Sequence, residues 1–109
     1  MSEDLPYEGL LARARTALRG TDLELAERCG RDALMCKPER GDAYNVLALV
    51  RLMQHERARA KALLRAGLAV DPSASSLQLN LGRLGRIGAG PLLLGDEVCE
   101  ASPYRKPQP

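Results

Sequence analysis

Apolar positions recur with helical period along most of this chain, and prolines and glycines divide the recurrence into segments. Leu10, Leu11, Ala14, Ala17 and Leu18 follow Pro6 and stop near Gly20. Proline is preorganised for a first helical turn, so this pattern predicts a helix over 6–19. Thr21-Asp22-Leu23-Glu24 then reads as a capping box, with the Thr hydroxyl and the Glu carboxylate each satisfying a free amide. It opens a second helix over 22–36, in which Leu23, Ala26, Ala33 and Leu34 are available for burial. Glu24 with Arg28 and Glu27 with Arg31 stand four apart on its solvent side. Lys37-Pro38 ends that helix, and Gly41-Asp42 opens a third over 41–54. A fourth follows over 56–70 and stops at Asp71-Pro72-Ser73. Ser73 or Ser75 then caps a fifth over 74–87. The expected packing is two antiparallel hairpins plus one helix. Ala14, Ala26, Ala48, Ala60, Gly67 and Gly82 are placed at close helix contacts, and Leu47, Leu64, Leu68 and Leu81 in the core.

Composition sharpens this to an all-α domain. Twenty Leu and fifteen Ala stand against four Val, one Ile and no Phe or Trp, so residues that favour pleated sheets are nearly missing. A chain of 109 residues has room for one core. The division expected is a helical domain over 1–90 and an extension over 91–109, partly docked and partly flexible. Pro91-Leu92-Leu93-Leu94 is too apolar to leave in water and should fold back over the flank of the fourth and fifth helices. Ser102 to Pro109 should trail into solvent or meet a partner.

Charge and cysteine content remove several classes of function. A net charge of +2 is too small for a nucleic-acid footprint, and thirteen Arg to three Lys fits a GC-rich genome better than phosphate recognition. Cys29 and Cys36 lie about 10 Å apart along one helix, beyond disulfide reach. They read as idle thiols of a reducing cytosol. Met1-Ser2-Glu3-Asp4 lacks the form of a secretion signal, and no apolar run approaches the roughly 18 residues of a membrane span. The expectation is a cytoplasmic protein without membrane insertion.

A repeat test strengthens the helical reading. Sliding residues 7–40 onto 41–74 pairs Ala14 with Ala48, Leu18 with Leu52, Ala26 with Ala60, Arg31 with Arg65, Leu34 with Leu68 and Pro38 with Pro72. Small residues recur where the helices of a hairpin must approach, and proline recurs where the pair must end. On these residues the sequence resembles the tetratricopeptide repeat family. Gly41 to Ala74 looks like one complete repeat, with Tyr44-x-x-Leu47-Ala48, then Ala60, Leu64, Gly67 and Asp71-Pro72. Residues 7–40 resemble a degenerate repeat, with Leu10 in place of the aromatic, Arg13 of the Leu and Gly30 of the large apolar residue. Residues 75–87 look like the first helix of a third, with Leu81-Gly82 on the Leu-small pair. Arg51 and Gly85 depart from the family where a second aromatic is usual, and His55 where the turn glycine is usual. The resemblance implies antiparallel helix-turn-helix repeats stacked as a short right-handed superhelix.

Catalytic chemistry finds little support in the residues. His55 is the sole histidine and falls at a turn, with no Ser or Cys at a predictable contact. Cys29, Cys36 and His55 match no zinc spacing. Gly82, Gly85, Gly88 and Gly90 lack the strand and helix that a phosphate cradle needs. No enzyme activity, cofactor or metal is therefore expected.

What remains is a surface for another protein. The family's concave groove, carried over position by position, selects Leu11, Arg15, Leu18, Asn45, Leu49, Leu52, Met53, Leu79, Arg83 and Arg86. An apolar floor with guanidinium groups implies a partner segment that is apolar and acidic. The carboxylate clamp of heat-shock cochaperones is excluded, because its positions are held here by Leu11, Arg15, Val46, Ser76 and Asn80. The expected role is a non-catalytic adaptor or scaffold, monomeric or weakly dimeric. The alternatives are a small chaperone of a bacterial secretion or assembly system and a self-associating scaffold.

Overall fold

A computed structural model of the chain describes residues 6–84 and the backbone of two short strands at 93–94 and 97–98. Five helices follow in order: α1 (Tyr7–Arg19), α2 (Leu23–Cys36), α3 (Asp42–Met53), α4 (Arg57–Val70) and α5 (Ser75–Leu84). The first four match the sequence boundaries to within one residue at each end. For the fifth, the stretch 85–87 lies outside the described residues. Strands β1 (Leu93–Leu94) and β2 (Glu97–Val98) pair antiparallel, Leu93 opposite Val98 and Leu94 opposite Glu97.

Successive helices pack against one another, so the architecture is all-α, made of helix-turn-helix units. The repeat is visible in the backbone itself. Thr21 and His55, 34 positions apart, both adopt left-handed φ, at 59° and 62°. The hydrogen bonds around them correspond: Thr21 N–H donates to the Leu18 carbonyl and His55 N–H to that of Leu52. One step on, Asp22 N–H reaches Ala17 and Glu56 N–H reaches Arg51. At the far end Lys37 N–H closes on Ala33 and Asp71 N–H on Gly67. Two hairpins thus share one turn and one stop.

Helix α3 holds the centre. Eight of its twelve residues are buried, and it touches all four other helices as well as β1. An apolar run on every side is what a core helix requires. Ala14, Ala26, Ala48 and Ala60 are buried at the helix contacts, as expected. Gly67 is the tightest contact: a Cβ there would fall 2.7 Å from Tyr44 Cβ and closer still to Leu77 Cδ2.

Several local expectations are corrected. Pro6 is extended and forms the N-cap of α1, its carbonyl accepting from Leu10 N–H, instead of the first helical residue. Thr21 is not the cap of α2; the Asp22 carboxylate accepts from Leu25 N–H at 3.2 Å. The left-handed turn directs the Thr21 hydroxyl back to the Gly20 carbonyl. Gly82 is exposed, with nothing within 4 Å of a Cβ built on it. Leu68 and Leu81 are half-buried at the edge of the core.

Candidate functional site

The residues selected for a concave groove separate into two groups. Leu11, Leu18, Asn45, Leu49 and Leu52 lie in the interior, none more than 2% exposed. The Asn80 amide donates to Asn45 Oδ1 at 2.7 Å, which turns the face of α3 that bears Asn45, Leu49 and Leu52 toward α5. The expected apolar floor is therefore the packing layer between the first helices of successive units. A stripe at i, i+4 and i+7 marks one helix face, and here that face is buried. Arg15, Met53 and Arg83 are half-buried, and Leu79 is 43% exposed. Arg86 lies outside the described residues.

What the first-helix side does present is a polar cleft of about 490 Å³. It opens where the starts of α1, α3 and α5 meet the α2–α3 and α4–α5 connections. Glu8, Asp42 and Asp71 line it, with Arg15, Arg40 and the serines of the last connection. Glu8 and Asp42 stand in the first turns of α1 and α3, where unpaired amides concentrate positive potential. Asp71 also joins the units: its Oδ2 accepts from Gly41 N–H at 2.9 Å and its Oδ1 from the Ser73 hydroxyl at 3.3 Å. Arg40 pairs with Asp42 at 3.3 Å. Arg15 keeps its Nε buried with no hydrogen-bond partner.

Beside this cleft, Tyr7 is buried under two cations. Lys37 Nζ lies 5.6 Å and the Arg40 guanidinium 5.4 Å from its ring centre, within cation–π range. Burial, with Asp42 adding to it, pushes the Tyr7 hydroxyl up to about 12. Its oxygen has no partner. Tyr7 therefore acts as a neutral wedge fixing the α2–α3 connection onto α1.

A second, more apolar cleft of about 360 Å³ lies between α2, α3 and α4. Leu47, Ala62 and Leu63 form its floor, and Arg31, Arg51 and Arg59 stand around it. Sequence reasoning missed it, because Leu47 and Leu63 meet only through tertiary packing. The basic run on α4 was the available signal.

Among the described residues the remaining reactive side chains stand apart. Cys29 is buried, Cys36 is exposed at the end of α2, and His55 occupies the α3–α4 turn. Among the described residues no three His, Cys, Asp or Glu side chains converge to hold a metal ion. Nor is any described helix long and apolar enough to cross a membrane. Comparison with models of known protein families, with curated proteins and with solved structures finds no match for this chain.

Proposed function

We propose that this chain is a tetratricopeptide-type interaction module, a non-catalytic cytoplasmic adaptor that binds a segment of another protein. The observation that carries the reading is the 34-residue backbone register, in which turn, stop and hydrogen bonds recur between the two hairpins. That register is the structural unit of the family the sequence resembles, and its members act by presenting the first-helix side to partners. Of the residues selected for this side, Arg15, Met53, Leu79 and Arg83 keep exposed surface. Arg15, half-buried on the lining of the cleft, brings a guanidinium suited to a carboxylate or a backbone carbonyl. Met53 and Leu79 supply adaptable apolar contact.

The test compares affinity capture from the source cell by the natural chain, by Arg15→Glu and by the exposed control Arg13→Glu. The reading requires one set of partners to be lost with Arg15→Glu and kept with Arg13→Glu, both variants keeping their helical circular dichroism. Identical capture by all three removes this site.

A further inference from the structure

We propose that the cleft between α2 and α4 is a second docking site, for an amphipathic helix with an apolar face flanked by carboxylates. The inference rests on the protein-interaction reading but places the partner on the side away from the first-helix layer.

Charge distribution is the first argument. Helix α4 carries four of the sixteen basic residues of the chain and none of the fourteen acidic ones, leaving the rest of the molecule at net −2. The modest overall charge conceals one basic helix, of which Arg59 lines the cleft while Arg57 donates to the Leu84 carbonyl at the end of α5. Its outward face is shallow, with exposed Ala58, Ala62 and Ala66 one turn apart, so another helix can approach closely. The cleft itself supplies an apolar seat. Leu47 and Leu63 give it a floor that accepts an aliphatic side chain, and Arg51 forms a fixed wall. The Arg51 guanidinium is clasped by Glu27 and Gln54, each at 2.9 Å, and does not need a ligand. Arg31 from α2 and Arg59 from α4 are the movable groups, with side chains 64% and 71% exposed. Each touches one carboxylate, Glu27 at 2.5 Å and Glu56 at 3.4 Å, yet both keep most of their surface in water. Surface pairs of this kind are worth little and exchange readily. Because the two arginines rise from opposite walls, the matching partner bears acidic residues on both sides of its apolar anchor. A nucleic acid fits less well. Its phosphates would meet Glu27 and Glu56 among the arginines, and no aromatic side chain lines the cleft as a platform for bases.

The probe is a synthetic amphipathic helix with a leucine face and glutamate flanks, followed by fluorescence anisotropy and by amide chemical shifts. Its lysine-flanked counterpart, single-stranded RNA and phosphatidylserine vesicles serve as comparators. Selective binding of the glutamate probe is expected, weakening with salt. Its shifts should centre on α2 and α4 around Leu47 and Leu63. Arg59→Glu and Arg31→Glu should each weaken it about tenfold, while Arg13→Glu leaves it unchanged. Ala62→Asp, at an exposed position of the cleft, should also weaken it while leaving the buried side chains in place. Shifts centred on Arg15 and Leu79 overturn this site and leave the interaction reading intact. Absence of binding also overturns it, and the Arg15 capture experiment judges the broader reading separately. RNA or vesicle binding that Arg59→Glu abolishes and the glutamate probe does not compete assigns the basic face to polyanions instead.

Discussion

Thr21 and His55 each hold a left-handed backbone that L side chains adopt at a cost of about 1–2 kcal/mol. Glycine removes that cost but loses roughly 0.5–1 kcal/mol through the unfolded chain. Thr21→Gly and His55→Gly should therefore each stabilise the fold by about 0.5–1 kcal/mol, read from urea midpoints. The gain should be larger at Thr21, because β-branched side chains fit this region worst. Destabilisation by either change would mean that the turn is not left-handed. Tyr7 makes a pH-dependent prediction. Its hydroxyl titrates near 10 in the unfolded chain and is pushed up to about 12 when folded, so unfolding releases a proton between those values. Stability should fall as pH rises through that window, by on the order of 2 kcal/mol from this residue. Tyr7→Phe should flatten the fall, at little cost near neutrality, since the buried oxygen has no partner to lose. Parallel slopes for the two proteins in denaturant melts across the window would refute the burial of Tyr7. At this scale the sequence was least decisive. Thr21 and Asp22 are both good caps, and only the left-handed turn selects the carboxylate.

At the scale of elements, two glycines of α4 and α5 make opposite predictions from one substitution. A methyl group at Gly67 would collide with the Tyr44 Cβ, which is fixed to the α3 backbone, and with the fully buried Leu77. Gly67→Ala should force α4 away from its neighbours, costing about 1–3 kcal/mol, partly offset by helix propensity. Gly82 has open space around it, so Gly82→Ala should add up to about 1 kcal/mol of propensity with no clash. Equal effects of the two changes on the melting temperature would contradict the packing described. Element boundaries were legible because Pro6, Pro38, Pro72 and the glycines mark them chemically. The use of each face was not. Leu49 and Leu52 have the same spacing whether they face a partner or α5, and helical period alone does not say what covers a stripe. For α2 the reverse held: its Glu–Arg pairs read as a solvent side, and the apolar cleft between α2 and α4 depends on Leu47 of α3.

On the scale of the whole molecule, an array of two and a half hairpins ends on a helix without its own partner. Units of this kind stabilise one another mainly through neighbours, so the last helix is the exposed end of a one-dimensional stack. In the structure β1 lies beside α3 and α5, the two elements that would otherwise form that end. Those same helices carry the buried Leu49, Leu52, Leu77 and Leu84. Arg57 adds a tie from within the array, donating to the Leu84 carbonyl at the end of α5. Truncation after Gly90 removes both strands and leaves every described helix in place. If the strand pair closes the stack, the truncated chain loses apolar cover, and each ~1 kcal/mol lost lowers the midpoint of a domain this size by roughly 4–8 °C. Pairing with a second copy would restore that cover. Calorimetry should therefore show a lower melting temperature, and light scattering over a range of concentrations a shift toward dimer. A truncated chain that stays monomeric and melts with the full-length protein would show that α3 and α5 close the array unaided.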